Sequence, residues 1–148
     1  MKKLFIFLLI FNFKIVSSSE IKLEKLADDL DKPWSLSFIN KDSIIFTEKS
    51  GKLFTFNIKN KKKTEIKHNL SVLEDGQGGL LDVLFHDAKI YLSYSENRGN
   101  METSTSVAKG DFDKQSIKFK NIFRAEPPID SGYHFGSRLV IKNDHLFV

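Results

Sequence analysis

The sequence predicts an all-β chain, and three observations carry that reading. From Glu20 onward the apolar residues show little helical periodicity. Short runs rich in β-branched and aromatic residues recur, the early ones about every nine or ten residues. Clusters of Gly, Asn, Asp and Lys separate them. Such spacing suits antiparallel meanders in a sandwich, a barrel or a propeller, and spacing alone does not separate the three.

Taken in order, residues 35–39 form the first expected strand, ended by the turn signal Asn40-Lys41-Asp42. Residues 43–48 form the second, followed by Lys49-Ser50-Gly51-Lys52. Residues 53–58 form the third, with Phe54, Phe56 and Ile58 on one face and Thr55 and Asn57 on the other, the alternation of a half-buried strand. Asn60-Lys61-Lys62-Lys63 reads as a solvated hairpin tip. Further strands are expected at residues 65–69, 80–85, 89–95, 104–110, 116–123, 138–141 and from 146 onward. Residues 23–30 could hold a helix but lack a core stripe, and no element is assigned there.

The 148 residues and 17.0 kDa set an upper bound of one domain. Lys2 and Lys3, the apolar run 4–11 and Ser17, Ser18 and Ser19 match a secretory signal peptide over residues 1–19, cleaved after Ser18 or Ser19. The apolar core is well short of the about 20 residues of a spanning helix, so no stable membrane anchor is expected. The expected location is periplasmic or secreted. Of 23 basic residues, Lys2, Lys3 and Lys14 lie in the leader, leaving 20 against 19 acidic ones, a net of +1. That balance offers no electrostatic case for nucleic acid. The chain has no cysteine, which excludes disulfides, thiolate metal sites and a cysteine nucleophile. His145-Leu146-Phe147-Val148 reads as the first half of a buried strand, so the sequence is expected to be part of a longer domain.

Two places could carry chemistry. In Asp75-Gly76-Gln77-Gly78-Gly79 the glycines permit a sharp turn and close approach, and Gln77 can donate to or accept from a hydroxyl. The same residues also suit a tight loop feeding a strand, with Gln77 on the surface. In Gly132-Tyr133-His134-Phe135-Gly136 a histidine is framed by glycines, and a positioned imidazole can take a proton from an alcohol. A packed histidine at the start of a strand also fits there, and on these residues alone fits better. His68, His86 and His145 are scattered, without metal-ligand spacing. Asn69-Leu70-Ser71 is a glycosylation sequon by pattern, and Gly136-Ser137-Arg138 is not a nucleophile elbow.

Six segments in order carry a resemblance. They are Pro33-Trp34-Ser35-Leu36-Ser37-Phe38, then Phe46-Thr47-Glu48-Lys49-Ser50-Gly51-Lys52-Leu53, then Gly76-Gln77-Gly78-Gly79-Leu80-Leu81-Asp82-Val83. Tyr91-Leu92-Ser93-Tyr94-Ser95-Glu96, Ile122-Phe123-Arg124 and His134-Phe135-Gly136-Ser137-Arg138-Leu139-Val140 follow. From about Lys25 to Val148 the chain resembles the N-terminal part of the soluble quinoprotein glucose/sorbosone dehydrogenases. The resemblance implies a six-bladed β-propeller, with residues 20–148 covering roughly the first two to three blades. It implies pyrroloquinoline quinone (PQQ) and calcium as cofactors, and oxidation of the anomeric hydroxyl of aldoses to lactones in the periplasm. An aldose substrate and a downstream electron acceptor are the implied partners. His134 maps onto the family's general base, and Gln77 onto a glutamine near substrate and cofactor. The quinone-gripping residues and calcium ligands are expected after residue 148. Tyr133 departs from the pattern, since some members place an acid there, and the turn at residues 86–89 is shorter than usual. The alternative is a non-enzymatic exported propeller that binds a protein or glycan.

Overall fold

The computed structural model describes residues 21–148. The expected leader, residues 1–19, lies outside them. The chain is all-β. A first meander runs through β1 (Pro33–Asn40), β2 (Ser43–Glu48), β3 (Lys52–Asn57) and β4 (Lys62–His68). A second comprises β5 (Leu80–His86), β6 (Lys89–Asn97) and β7 (Thr103–Asp111). Then come β8 (Ser116–Ile117), β9 (Lys120–Arg124), β10 (Val140–Lys142) and β11 (His145–Phe147). The sheet orders are β1-β2-β3-β4-β8 and β5-β6-β7-β9, and β10 pairs with β11 in a separate hairpin.

Local chemistry sets the turns. Asp87 and Ala88 have φ of 47° and 57°, and Asn143 and Asp144 have 49° and 60°. Paired left-handed residues give two-residue turns whose twist matches that of the strands they join. The turn expected at His86-Asp87 is therefore the β5–β6 hairpin, with His86 opposite Lys89.

The two sheets share one core. Ile45, Leu53 and Ile66 of the first pack with Leu80, Val83, Ile90, Leu92, Tyr94 and Ala108 of the second. Burying each such side chain stabilises the chain by about 1.5–3 kcal/mol. The other face of the first sheet carries Phe46, Phe54 and Phe56, with Ala27, Ile44 and Ile58 against them. The predicted grouping of Phe54, Phe56 and Ile58 is thus observed. Phe46 and Phe54 are register partners whose rings stack at 5.2 Å.

Several expectations are corrected. Residues 116–123 are two strands, not one. β8 pairs in parallel with β4, whereas β9 pairs with β7 in the other sheet. Ile117 and Phe119 are both buried, so the alternation continues across the break while the hydrogen-bond partner changes. At the crossing, the Phe119 amide donates to Asn69 Oδ1 at 2.7 Å, and Asn69 Nδ2 donates to the Phe119 carbonyl at 3.1 Å. The amide of the Asn69 sequon is therefore engaged as a substitute strand edge. The lysine run is not all hairpin tip, because Lys62 and Lys63 pair with Asn57 and Phe56, and Lys63 Nζ sits 4.8 Å over the Phe54 ring. The strand expected at 138–141 begins only at Val140, because the Leu139 amide bonds to a side chain of β5. Residues 23–30 form no helix. Among the described residues, no helix is long and apolar enough to cross a membrane.

Candidate functional site

The glycines before β5 are required by the backbone that meets them. Gly76 has φ of +51°, and a Cβ there would lie 2.4 Å from the Gly132 carbonyl oxygen. A Cβ at Gly132 would in turn lie 2.6 Å from Asp75 Oδ2. The two glycine-framed segments that stand far apart in sequence therefore interlock. The Gln77 amide donates to the Gly132 carbonyl at 2.7 Å. The His134 amide donates to Gln77 Oε1 at 3.0 Å. Behind them, Ser95 Oγ accepts from the Gly79 amide and donates to the Leu73 carbonyl, both at 2.6 Å. Lys49 Nζ donates to the Gly76 carbonyl at 2.7 Å.

The far end of the histidine segment is tied to β5 and β6. The Leu139 amide donates to Asp82 Oδ2 at 2.6 Å, and Ser93 Oγ donates to the Ser137 carbonyl at 2.6 Å. Between these ties His134 is exposed and adopts φ of +65°. A left-handed non-glycine residue costs roughly 1–2 kcal/mol, which the flanking bonds offset. Among the described residues, no side chain or carbonyl bonds the His134 ring, and the space beside Gly136 is open. The arrangement presents an imidazole to solvent on a loop held at both ends.

Both residues singled out from the sequence are therefore together. Gln77 holds the main chain of His134 through its carbonyl oxygen, which leaves its amide NH2 to address a hydroxyl. The other histidines are placed structurally. His68 Nδ1 accepts from the Leu70 amide at 3.3 Å, so its Nε2 donates to the Gly51 carbonyl at 2.7 Å. Burial keeps that imidazole below its ordinary value. His86 lies 3.3 Å from Asp87, and His145 Nδ1 lies 2.7 Å from the Asn143 carbonyl.

Among the described residues three buried carboxylates were not singled out as such by the sequence. Glu48 and Asp82 are each 2% exposed and Glu96 is 8% exposed; Glu48 Oε1 accepts from the Asp31 amide at 3.1 Å. Glu96 accepts from Arg124 Nε and Nη2 at 2.6 Å each, from Ser106 Oγ at 2.6 Å and from Asn121 Nδ2 at 3.0 Å. Burial, the largest influence, would raise its carboxyl, but the Arg124 and Ser106 bonds hold it below the usual range. Tyr94 donates to Asn121 Oδ1 at 2.8 Å, and burial pushes its phenol up to about 12. Glu96 and Arg124 both stand in quoted motifs, but their strands carry other charged and polar residues, and no local signal pairs them.

The residues present offer an exposed imidazole on a loop held at both ends, with open space beside Gly136. Among the described residues no group of three His, Asp or Glu could hold a metal ion; the calcium ligands are expected after residue 148. A cleft of about 430 Å³ lies on the phenylalanine face of the first sheet, lined by Leu26, Trp34, Leu36, Phe46, Phe56 and Arg138 among others. Neither Gln77 nor His134 lines it.

Two stacked, mostly antiparallel sheets with an exposed histidine on a clamped loop place the chain among all-β proteins. The glucose/sorbosone dehydrogenase family model matches residues 30–148, and the chain belongs to that family. It is 32% identical over 138 residues to the aldose sugar dehydrogenase YliI of Escherichia coli K12, covering 86% of this chain and 37% of that protein. The crystal structure of the soluble aldose sugar dehydrogenase from Escherichia coli, in its apo form, superposes with a TM-score of 0.73 at 32% identity, over 80% of this chain and 37% of that one. The PQQ-bound aldose sugar dehydrogenase of Streptomyces coelicolor shares the fold, with a TM-score of 0.68 at 19% identity over 79% of this chain and 36% of that one. The chain thus spans a little over a third of the length of these relatives.

Proposed function

We propose that the whole protein is an exported, PQQ-dependent aldose dehydrogenase that oxidises the anomeric hydroxyl to the lactone. The single observation that carries this reading is the interlock in which Gln77 of one glycine loop holds His134 of the other. Family membership and the sugar dehydrogenases among the relatives support it. In this reading the first two sheets are propeller blades, the β10–β11 hairpin starts a third, and six blades close the ring. The leader directs the chain to the periplasm.

His134 accepts the proton of the C1 hydroxyl at a ring nitrogen, which lets the C1–O bond become a carbonyl as hydride leaves C1. When bound, a quinone would supply the hydride acceptor at C1. Gln77 fixes the backbone of the base through Oε1 and turns its amide NH2 to a sugar oxygen. The flanking glycines leave room for a flat ligand and a sugar to approach.

The test is sugar-dependent dye reduction by the whole protein with added PQQ and calcium. His134→Gln is expected to fold and bind quinone while lowering kcat by roughly 10²–10⁴-fold. Gln77→Ala loses one uncharged hydrogen bond, worth about 0.5–1.5 kcal/mol, and lowers kcat/KM by about tenfold or less. Near-parental turnover by His134→Gln would remove the base assignment and favour a non-enzymatic propeller that binds a protein or glycan.

A further inference from the structure

We propose that Asp82 is the positioning residue of the His134 loop, acting through the main chain of Leu139; this rests on the function just proposed. Asp82 stands on β5, four residues after Gly78, and is almost wholly buried. A buried carboxylate is costly unless hydrogen bonds satisfy it. Its partners come from three parts of the chain. Ser35 of β1 donates its hydroxyl to Oδ1. The Leu139 amide donates to Oδ2 at 2.6 Å, and Arg138 Nη1 lies 3.5 Å from Oδ1. The Asp82 amide donates to Ser93 Oγ at 3.0 Å, and that hydroxyl donates to the Ser137 carbonyl at 2.6 Å. Asp82 and Ser93 thus grip two successive peptide groups at one end of the segment.

The other end is gripped by Gln77, whose amide donates to the Gly132 carbonyl and whose Oε1 accepts from the His134 amide. One continuous stretch, from the glycine loop into β5, therefore holds both ends of the histidine loop. Both grips matter because His134 sits at φ of +65°, a conformation the chain does not keep by itself. Leu139 is 3% exposed, so its amide has no water to turn to if the carboxylate is lost. Asp82→Asn presents an NH2 where Oδ1 or Oδ2 now accepts. At best the Leu139 amide then keeps an uncharged acceptor, about half as strong as the carboxylate, so the loop is held less firmly at one end. A reacting group displaced by about 1 Å can cost about 10²-fold in rate.

The experiment uses the whole protein, loaded with PQQ and calcium, and reads two quantities. The first is kcat against KM for the sugar. The second is amide hydrogen exchange across residues 132–139, which needs no activity. Asp82→Asn is expected to lower kcat by about 10–100-fold with KM within about threefold, and to speed exchange at Leu139 and His134 by about tenfold or more. Ser93→Ala, a milder change that keeps the assay interpretable if Asp82→Asn fails to fold, should act in the same direction with a smaller loss. The double variant should lose less than the product of the two. Glu96→Gln, which removes a different buried carboxylate, should lower thermal stability and leave the exchange of 132–139 unchanged. Parental exchange at Leu139 and His134 in both Asp82→Asn and Ser93→Ala would overturn the inference. So would equal loosening of that segment by Glu96→Gln. A parent that reduces no dye would instead overturn the proposed function, and the exchange data would still decide the role of Asp82.

Discussion

Gly76 shows how a single residue joins the two halves of the site. Its φ of +51° suits glycine, and a Cβ would press on the Gly132 carbonyl, which is backbone and cannot swing aside. Gly76→Ala is expected to destabilise the protein by about 1–3 kcal/mol and to weaken the contact that seats His134. Gly136 makes the comparison, since a Cβ there meets nothing within 4 Å. Gly136→Ala should change stability by less than about 0.5 kcal/mol. Thermal unfolding of the two variants checks this. Equal losses at both positions would show that the Gly76–Gly132 approach is not what requires glycine.

At the scale of elements, three strands of the second sheet are fastened by one carboxylate. Glu96 on β6 takes Ser106 from β7 and Asn121 and Arg124 from β9. The arrangement explains why β9, a short edge strand, stays on the sheet with half-exposed Ile122 and Phe123. Its folded carboxyl lies below the unfolded value of about 4.3, so the folded state binds its proton less readily than the unfolded one. The stabilisation is therefore complete above about pH 4.3 and is lost as pH falls through the lower folded value. Unfolding of the whole protein from about pH 7 down to about pH 3 should show that loss. Glu96→Gln should be less stable than the parent at neutral pH, with the gap closing in acid. A gap that stays constant with pH would contradict the assignment.

The described residues leave apolar surface uncovered. On β1, Leu36 is 54% and Phe38 is 61% exposed, and Phe123 of β9 and Val140 and Phe147 of the β10–β11 hairpin are half exposed. Sheets that stack in series bury such faces only against neighbours, and each uncovered apolar Å² forgoes about 25 cal/mol. The 148-residue chain prepared by itself should bind a hydrophobic dye and lack a sharp thermal transition, unlike the whole protein. A cooperative transition with no dye binding would show that these two sheets and the hairpin are self-sufficient.

The sequence by itself determined the all-β class, the order of the strands and most of their bounds. Alternation and turn chemistry are local, so Phe54, Phe56 and Ile58 announced their shared face and His86-Asp87 its turn. It also marked Gln77 and His134 as candidates, through the glycines beside them and the motifs of the resemblance. Only the tertiary structure decided that these two meet across 57 residues. It alone divided residues 116–123 between two sheets, since the buried alternation of Ile117 and Phe119 is the same whichever strand lies alongside. Asp82 and Glu96 were legible as acids but not as buried ones. What burial of a charge requires is a set of donors from distant segments, Ser35 and Leu139 for one and Arg124 for the other. No local pattern states which distant groups will arrive, because that is fixed by how the sheets stack.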